Sequence, residues 1–321
     1  MNVGAALTRA LLATLAAPAT WPLGLAVFLL RGGLLLVVLP IVVLPSPVGL
    51  GNFLAPTLMS VVFQGLSIEV VAILSVAVLA IVTWVVVGGL VAASLEAEAA
   101  RIVAAGDIAT DGGATRVGPG PVTPHRSVAV RILVARLIAH LPTGVASLWG
   151  SVRLVDVAYR ELTSPDDVTS PIVLRVLAGA PEVTVALVVA WALGELTGGL
   201  ATRRIVLDGS PTAAALRDAV MVATRRPLGL FAGFVVPLAG LVLVVLPSTI
   251  AASIAWSAVR VAMRSPGELV FGTLAVMLFV SVWILGLLLI GVMTAWRGAV
   301  WSVAYGDLWP RPGRPGARAP G

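Results

Sequence analysis

Four long stretches of this chain hold no charged residue: Arg31 to Glu69, Glu69 to Glu96, Arg226 to Arg260 and Glu268 to Arg297. A helix needs about 20 apolar residues, rising about 1.5 Å each, to cross the hydrocarbon core of a bilayer. Each stretch is long enough to supply one. With 59% hydrophobic and 11% charged residues, the apolar content matches a lipid solvent as well as a protein interior. The chain therefore reads as an integral membrane protein of the all-α class, a polytopic bundle of about six transmembrane helices in three hairpins with short amphipathic interfacial helices.

The six expected spans are Pro22–Leu44, Val70–Ser94, Val134–Val155, Val183–Thr202, Leu228–Ile254 and Leu269–Ala295. The third is charge-free only between Arg136 and Arg153 and includes His140 and Pro142, and the fourth carries Glu195. Four spans with two interfacial middle helices is the alternative. Arginines concentrate on one side of the six-span arrangement: Arg9, the loop with Arg101, Arg116, Arg126, Arg131 and Arg136, the loop from Arg203 to Arg226, and Arg297 onward. The positive-inside rule then places both termini in the cytoplasm, with the bacterial inner membrane as the expected location. The segment Val3–Ala17 reads as an interfacial helix, and the apolar run after Pro18 is too long for a cleaved signal, so it reads as a retained anchor.

The domain reading is one transmembrane domain over 1–309 and a disordered tail over 310–321, whose Pro, Gly and Arg cannot bury apolar surface. Inside the domain, Gly33-Leu-Leu-Leu-Val-Val-Leu-Pro40 returns as Gly240-Leu-Val-Leu-Val-Val-Leu-Pro247, and Glu69 and Glu268 each stand fifteen residues before Trp84 and Trp283. Together with Ser46-Pro47, Ser164-Pro165 and Ser265-Pro266 in the outer loops, these echoes outline a three-hairpin repeat over 1–105, 126–208 and 210–305. Such repeats are parallel, because each begins on the same side. Ser265-Pro266-Gly267-Glu268 has the pattern of a helix start, Ser164–Asp167 could begin a short outer helix, and Gly106–Pro124 reads as a mobile loop.

The chemistry excluded is broad. The net charge is +6 and every basic residue is Arg, but the charges form no contiguous footprint, so nucleic acid is not an expected partner. There is no Cys and no Lys, which removes thiolate sites and the phosphate-binding lysine motif. No metal or cofactor is expected, since only His125 and His140 are present. Asp166-Asp167 with Glu161 could hold a cation outside or be a solvated acidic loop.

Charges inside the membrane carry the sharpest expectation. Each costs about 2.5–3.5 kcal/mol at mid-helix on insertion scales, so such groups face partners or water. Arg31 lies ten residues past Trp21, about 15 Å deep at 1.5 Å per residue. Glu195 lies eight residues before Arg203, within Gly194-x-x-x-Gly198, about 12 Å deep by the same rise. His140 enters from the same side. Arg31, His140 and Glu195 thus form the candidate intramembrane polar site, either a cytoplasm-facing binding site or an Arg31–Glu195 pair that locks two helices. Trp21, Trp256, Trp296, Trp301 and Trp309 are expected at interfaces, and Trp84, Trp191 and Trp283 in packing. Pro40, Pro237 and Pro247 are expected to kink or end their helices.

The amphipathic stretch Ala213–Arg226 leading into a span, and the segment Thr294-Ala-Trp-Arg-Gly-Ala-Val-Trp-Ser-Val-Ala-Tyr305, resemble bacterial multi-pass proteins grouped with the membrane domain of glycerophosphoryl diester phosphodiesterases. The catalytic domain of those enzymes has no counterpart here, so the resemblance implies no enzymatic activity. The expected role is a non-enzymatic scaffold or partner subunit, with membrane lipids and other membrane subunits as partners. The alternative is a transporter or lipid-handling protein using the Arg31, His140 and Glu195 region.

Overall fold

The computed structural model describes residues 3–38, 41, 65, 67–110, 125–163, 172–264 and 269–309. Among them every regular element is helical and there is no strand. The α-helices in chain order are α1 (Val3–Ala16), α2 (Thr20–Phe28), α3 (Leu34–Val38), α4 (Ile68–Thr83), α5 (Gly89–Thr110), α6 (His125–Ala139), α7 (Leu141–Thr163), α8 (Ile172–Gly179), α9 (Pro181–Asp208), α10 (Thr212–Arg225), α11 (Pro227–Arg264) and α12 (Leu269–Leu308). π-helical turns join α2 to α3 at Leu29–Gly33 and α4 to α5 at Trp84–Gly88.

Five runs are long and apolar enough to cross a membrane: Thr20–Val38, Ile68–Gly106, Pro181–Asp208, Pro227–Arg264 and Val270–Gly306. A sixth arises if Ser127–Ala139 and Leu141–Glu161, bent by 42° to each other, count as one broken span. The molecule is an all-α polytopic membrane bundle. The third span departs from the uninterrupted helix expected over Val134–Val155. Pro142 has no N–H to return to the carbonyl four residues back, so the helix breaks before it.

The last two helices run well past the expected spans. α11 has 38 residues and α12 has 40, about 57 and 60 Å at 1.5 Å per residue, roughly twice the hydrocarbon thickness. Pro237 and Pro247 both lie inside α11 and neither ends it. In lipid, ending a helix exposes backbone groups that nothing else can bond, which costs more than the one bond each proline omits. Ser67 caps α4, its hydroxyl accepting from the Val70 N–H at 3.3 Å, with Glu69 in the first turn. The motifs at Pro40, Ser46-Pro47, Ser164–Asp167 and Ser265–Glu268, most of the Gly106–Pro124 loop and the 310–321 tail lie outside the described residues.

The chain groups into two compact units. The first takes residues up to Ala10, Val103 to Val235, and Val300 onward; the second takes Leu11–Ile102 and Val236–Ala299. In the first, α9 is the central helix, packed on α6, α7, α8 and α10. Its inner residues Leu200, Ala201 and Ile205 are buried, as are Ala215 and Ala219 of α10. A smaller cluster joins Val157, Ala180 and Val183. In the second unit, Val37, Leu241, Val245 and Ile290 form one core, and Ala252, Ala255, Val259, Ala275 and Phe279 form another, flanked by Trp256 and Trp283. There α2 and α12 touch backbone to backbone: a Cβ on Gly24 would stand 2.7 Å from both the Gly291 carbonyl oxygen and the Ala295 nitrogen.

Trp301 is buried and its indole lies 3.6 Å from where a Cβ on Gly199 would be, so it is a core residue of the first unit. The small side of α9 at Gly199 makes room for it.

Candidate intramembrane polar site

In the first unit the break between α6 and α7 brings three ionisable side chains together. Arg136 and His140 are four residues apart and share one face of the chain as it leaves α6. Opposite them on α9 stands Glu195. Its Oε1 lies 3.4 Å from Arg136 Nη1 and 3.5 Å from His140 Nε2. Arg136 and Glu195 each retain 12% side-chain exposure. The helices approach closely because α9 offers glycines: a Cβ on Gly194 would sit 2.9 Å from the His140 ring and 3.0 Å from the Ala139 carbonyl oxygen, and one on Gly198 3.5 Å from Ala139 Cβ. The expected Gly194-x-x-x-Gly198 contact surface is thus the face that receives His140.

The imidazole has acceptors on both sides. Nδ1 lies 2.9 Å from the Arg136 carbonyl oxygen, which can only accept, so the hydrogen is assigned to Nδ1. Nε2 faces the Glu195 carboxylate, a second acceptor. His140 thus sits between the Arg136 carbonyl on its own helix and the Glu195 carboxylate on α9.

Arg31 lies in the second unit, where its Nη2 is bonded to Glu96 Oε2. His140 and Glu195 are brought together as expected, but the carboxylate that serves Arg31 in its own unit is Glu96, and the arginine that serves Glu195 is Arg136. Glu96 is buried. It lies on α5, which continues through Ala92, Ala93, Ala97 and Ala100, strong helix formers that carry the helix well past Ser94. That alanine run was the available signal. For Arg136 the signal was its spacing of four from His140.

Arg31 also sits at a backbone break. Arg31 adopts φ −91°, ψ 22° and Gly32 φ 100°, ψ −8°; the positive φ at position 32 suits glycine and few other residues. Beside the break, the Trp84 indole N–H donates to the Leu30 carbonyl oxygen at 3.1 Å. Trp84 thus does more than pack, its expected role. Each unit carries an Arg–Glu pair beside an interruption of a membrane helix.

A second polar node in the first unit ties α9, α10 and the end of α12. Arg204 is bonded to Asp208 and, at 2.7 Å, to Asp218. The Tyr305 hydroxyl donates to Asp208, and the Arg204 guanidinium lies 5.4 Å from the Trp309 ring centroid. Next to it, fully buried Arg203 donates to Ser302 Oγ at 3.2 Å. These contacts hold the closing segment of α12 against α9. Among the described residues no group of three or more His, Asp or Glu is placed to hold a metal ion.

No protein-family model, no curated protein and no solved structure matches this chain.

Proposed function

We propose that this is a non-enzymatic membrane scaffold or partner subunit of the bacterial inner membrane, with both termini in the cytoplasm. The observation that carries the reading is the closed packing at Glu195. Gly194 is in such tight contact with His140 and Ala139 that even a methyl group would have to displace them, while Arg136 and His140 supply the carboxylate with opposing groups. A site filled by its own chain locks helices and leaves no place for cargo. The apolar run Ile68–Gly106 supports the partner role, since none of its most apolar window is buried by the rest of the chain. The resemblance of Thr294–Tyr305 to a membrane domain that lies apart from its catalytic partner fits the same proposal.

The second reading, a carrier or lipid-handling protein, is favoured by one observation: the Arg136–His140–Glu195 polar cluster beside a bend between two apolar helices, as in transporters built from discontinuous helices. Cysteine accessibility separates the two, because the chain contains no cysteine of its own. Single cysteines at Ala139 and Thr143 should resist a membrane-impermeant maleimide applied to either face of sealed vesicles. Labelling at either position from one face would replace the scaffold reading with the carrier.

A further inference from the structure

The helix α10 is joined by short connections to two runs long and apolar enough to cross a membrane. Three residues, Gly209–Pro211, join it to the apolar run Pro181–Asp208, and Arg226 alone joins it to Pro227–Arg264. Arg204 of α9 bonds Asp218 of α10, and Arg131 of α6 donates to the Gly209 carbonyl at 3.1 Å. An apolar run long enough to cross a membrane thus adjoins α10 on each side, and these ties hold it against the first unit.

Its buried and exposed faces are distinct. Ala215 and Ala219 are fully buried against the unit, because their small side chains let α10 pack close to α9 and α6. The opposite face carries Arg217, Val220, Met221 and Thr224, spaced by three and four and therefore aligned on one side. Arg217 is 75% exposed, with an Asp218 carboxylate oxygen 3.7 Å from its guanidinium, and Val220 is 50% exposed. Arg225, also exposed, closes the helix, and Leu228 just beyond the turn is 85% exposed. The outward face thus combines guanidinium groups with large apolar side chains.

We propose that this face of α10 is a docking site for the headgroups of anionic phospholipids. Arg217 and Arg225 meet phosphate oxygens, with bidentate geometry available to each guanidinium, while Val220, Met221 and Leu228 enter the margin of the acyl layer. Charge complementarity selects an anion. The apolar half selects a lipid over a water-borne polyanion, since a nucleic acid or acidic peptide leaves Val220, Met221 and Leu228 in water. The proposal does not depend on the scaffold or the carrier reading.

Met221→Cys gives the full chain a single thiol for an environment-sensitive fluorophore. The labelled, detergent-solubilised protein is titrated with phosphatidylglycerol, phosphatidylcholine, inorganic phosphate, and a short single-stranded oligonucleotide. Phosphatidylglycerol should shift the emission saturably and require at least about fivefold less lipid than phosphatidylcholine, the effect of about one arginine contact. Replacing both Arg217 and Arg225 by Gln should weaken that response by about 30-fold, the product of two such contacts, and replacing both by Lys should restore most of it. Equal responses to the two lipids overturn the proposal. An unchanged response in the Gln variant also overturns it, as does phosphate or the oligonucleotide matching phosphatidylglycerol. If the Gln variant fails to fold, salt decides on the parent protein: a phosphatidylglycerol response unaffected by raising ionic strength overturns the assignment.

Discussion

Trp84 donates its indole N–H to the carbonyl oxygen of Leu30, 54 residues earlier in the chain, at 3.1 Å. The bond stands beside the backbone break at Arg31 and Gly32, whose dihedrals are not helical, and it ties the two helices together at that point.

Trp84→Phe keeps the ring and removes the donor. The variant should lose about 0.5–1.5 kcal/mol of stability, the net worth of one hydrogen bond. Gly32→Ala should lose about 1–2 kcal/mol through forced left-handed backbone. Both are measured by thermal or denaturant unfolding in detergent. A Trp84→Phe variant as stable as the parent would remove the indole from any role at the break.

The Arg31–Glu96 pair makes a prediction of compensation. Breaking a fully buried pair costs about 3–5 kcal/mol; Arg31 keeps 28% side-chain exposure, so Glu96→Gln should fall at or below the lower end of that range. The double change Arg31→Leu with Glu96→Leu should recover most of the loss, because both desolvation terms vanish together. A double variant no more stable than Glu96→Gln would show that the two side chains do not act as a pair.

At Glu195 the matching partner is Arg136. Glu195→Leu alone should be more destabilising than Glu195→Leu with Arg136→Leu, and a double-mutant cycle measures the difference, expected in the range of about 0.5–3 kcal/mol for contacting residues. A coupling energy of zero would mean that Arg136 does not serve Glu195.

Gly194 and Gly198 of α9 should respond oppositely to the same change. Gly194→Ala drives a methyl group into the His140 ring and the Ala139 carbonyl and should destabilise by about 1–3 kcal/mol. Gly198→Ala meets only ordinary contacts of 3.5 Å and more and should be neutral or stabilising by up to about 1 kcal/mol, from the higher helix propensity of alanine. Unfolding curves for the two variants that superimpose would argue against the close approach at Gly194.

Topology reporters decide between the two arrangements open to α6 and α7. Fusions at Gly112 and at Asp167 should report opposite sides of the membrane if the bent pair is one broken span. Matching signals would make it a re-entrant hairpin and put α9 in a different orientation.

The sequence alone determined that the chain lives in lipid, that it is helical, and that Arg31, His140 and Glu195 are too costly to lie there without partners. These follow from local quantities, namely charge-free length and the transfer cost of each side chain, and need no tertiary contact to evaluate. Only the tertiary structure decided who answers whom. Glu96 faces Arg31 because α5 runs on past the expected end of its span, and Arg136 joins His140 on Glu195 because the chain breaks before Pro142. Each successive residue turns a helix by about 100°, so a break or a few added residues redirects every side chain beyond it. Partner choice therefore depends on where helices bend and end, and in this chain those points are set by Gly32, Pro142 and the packing of α9, which no charge count or hydropathy pattern encodes.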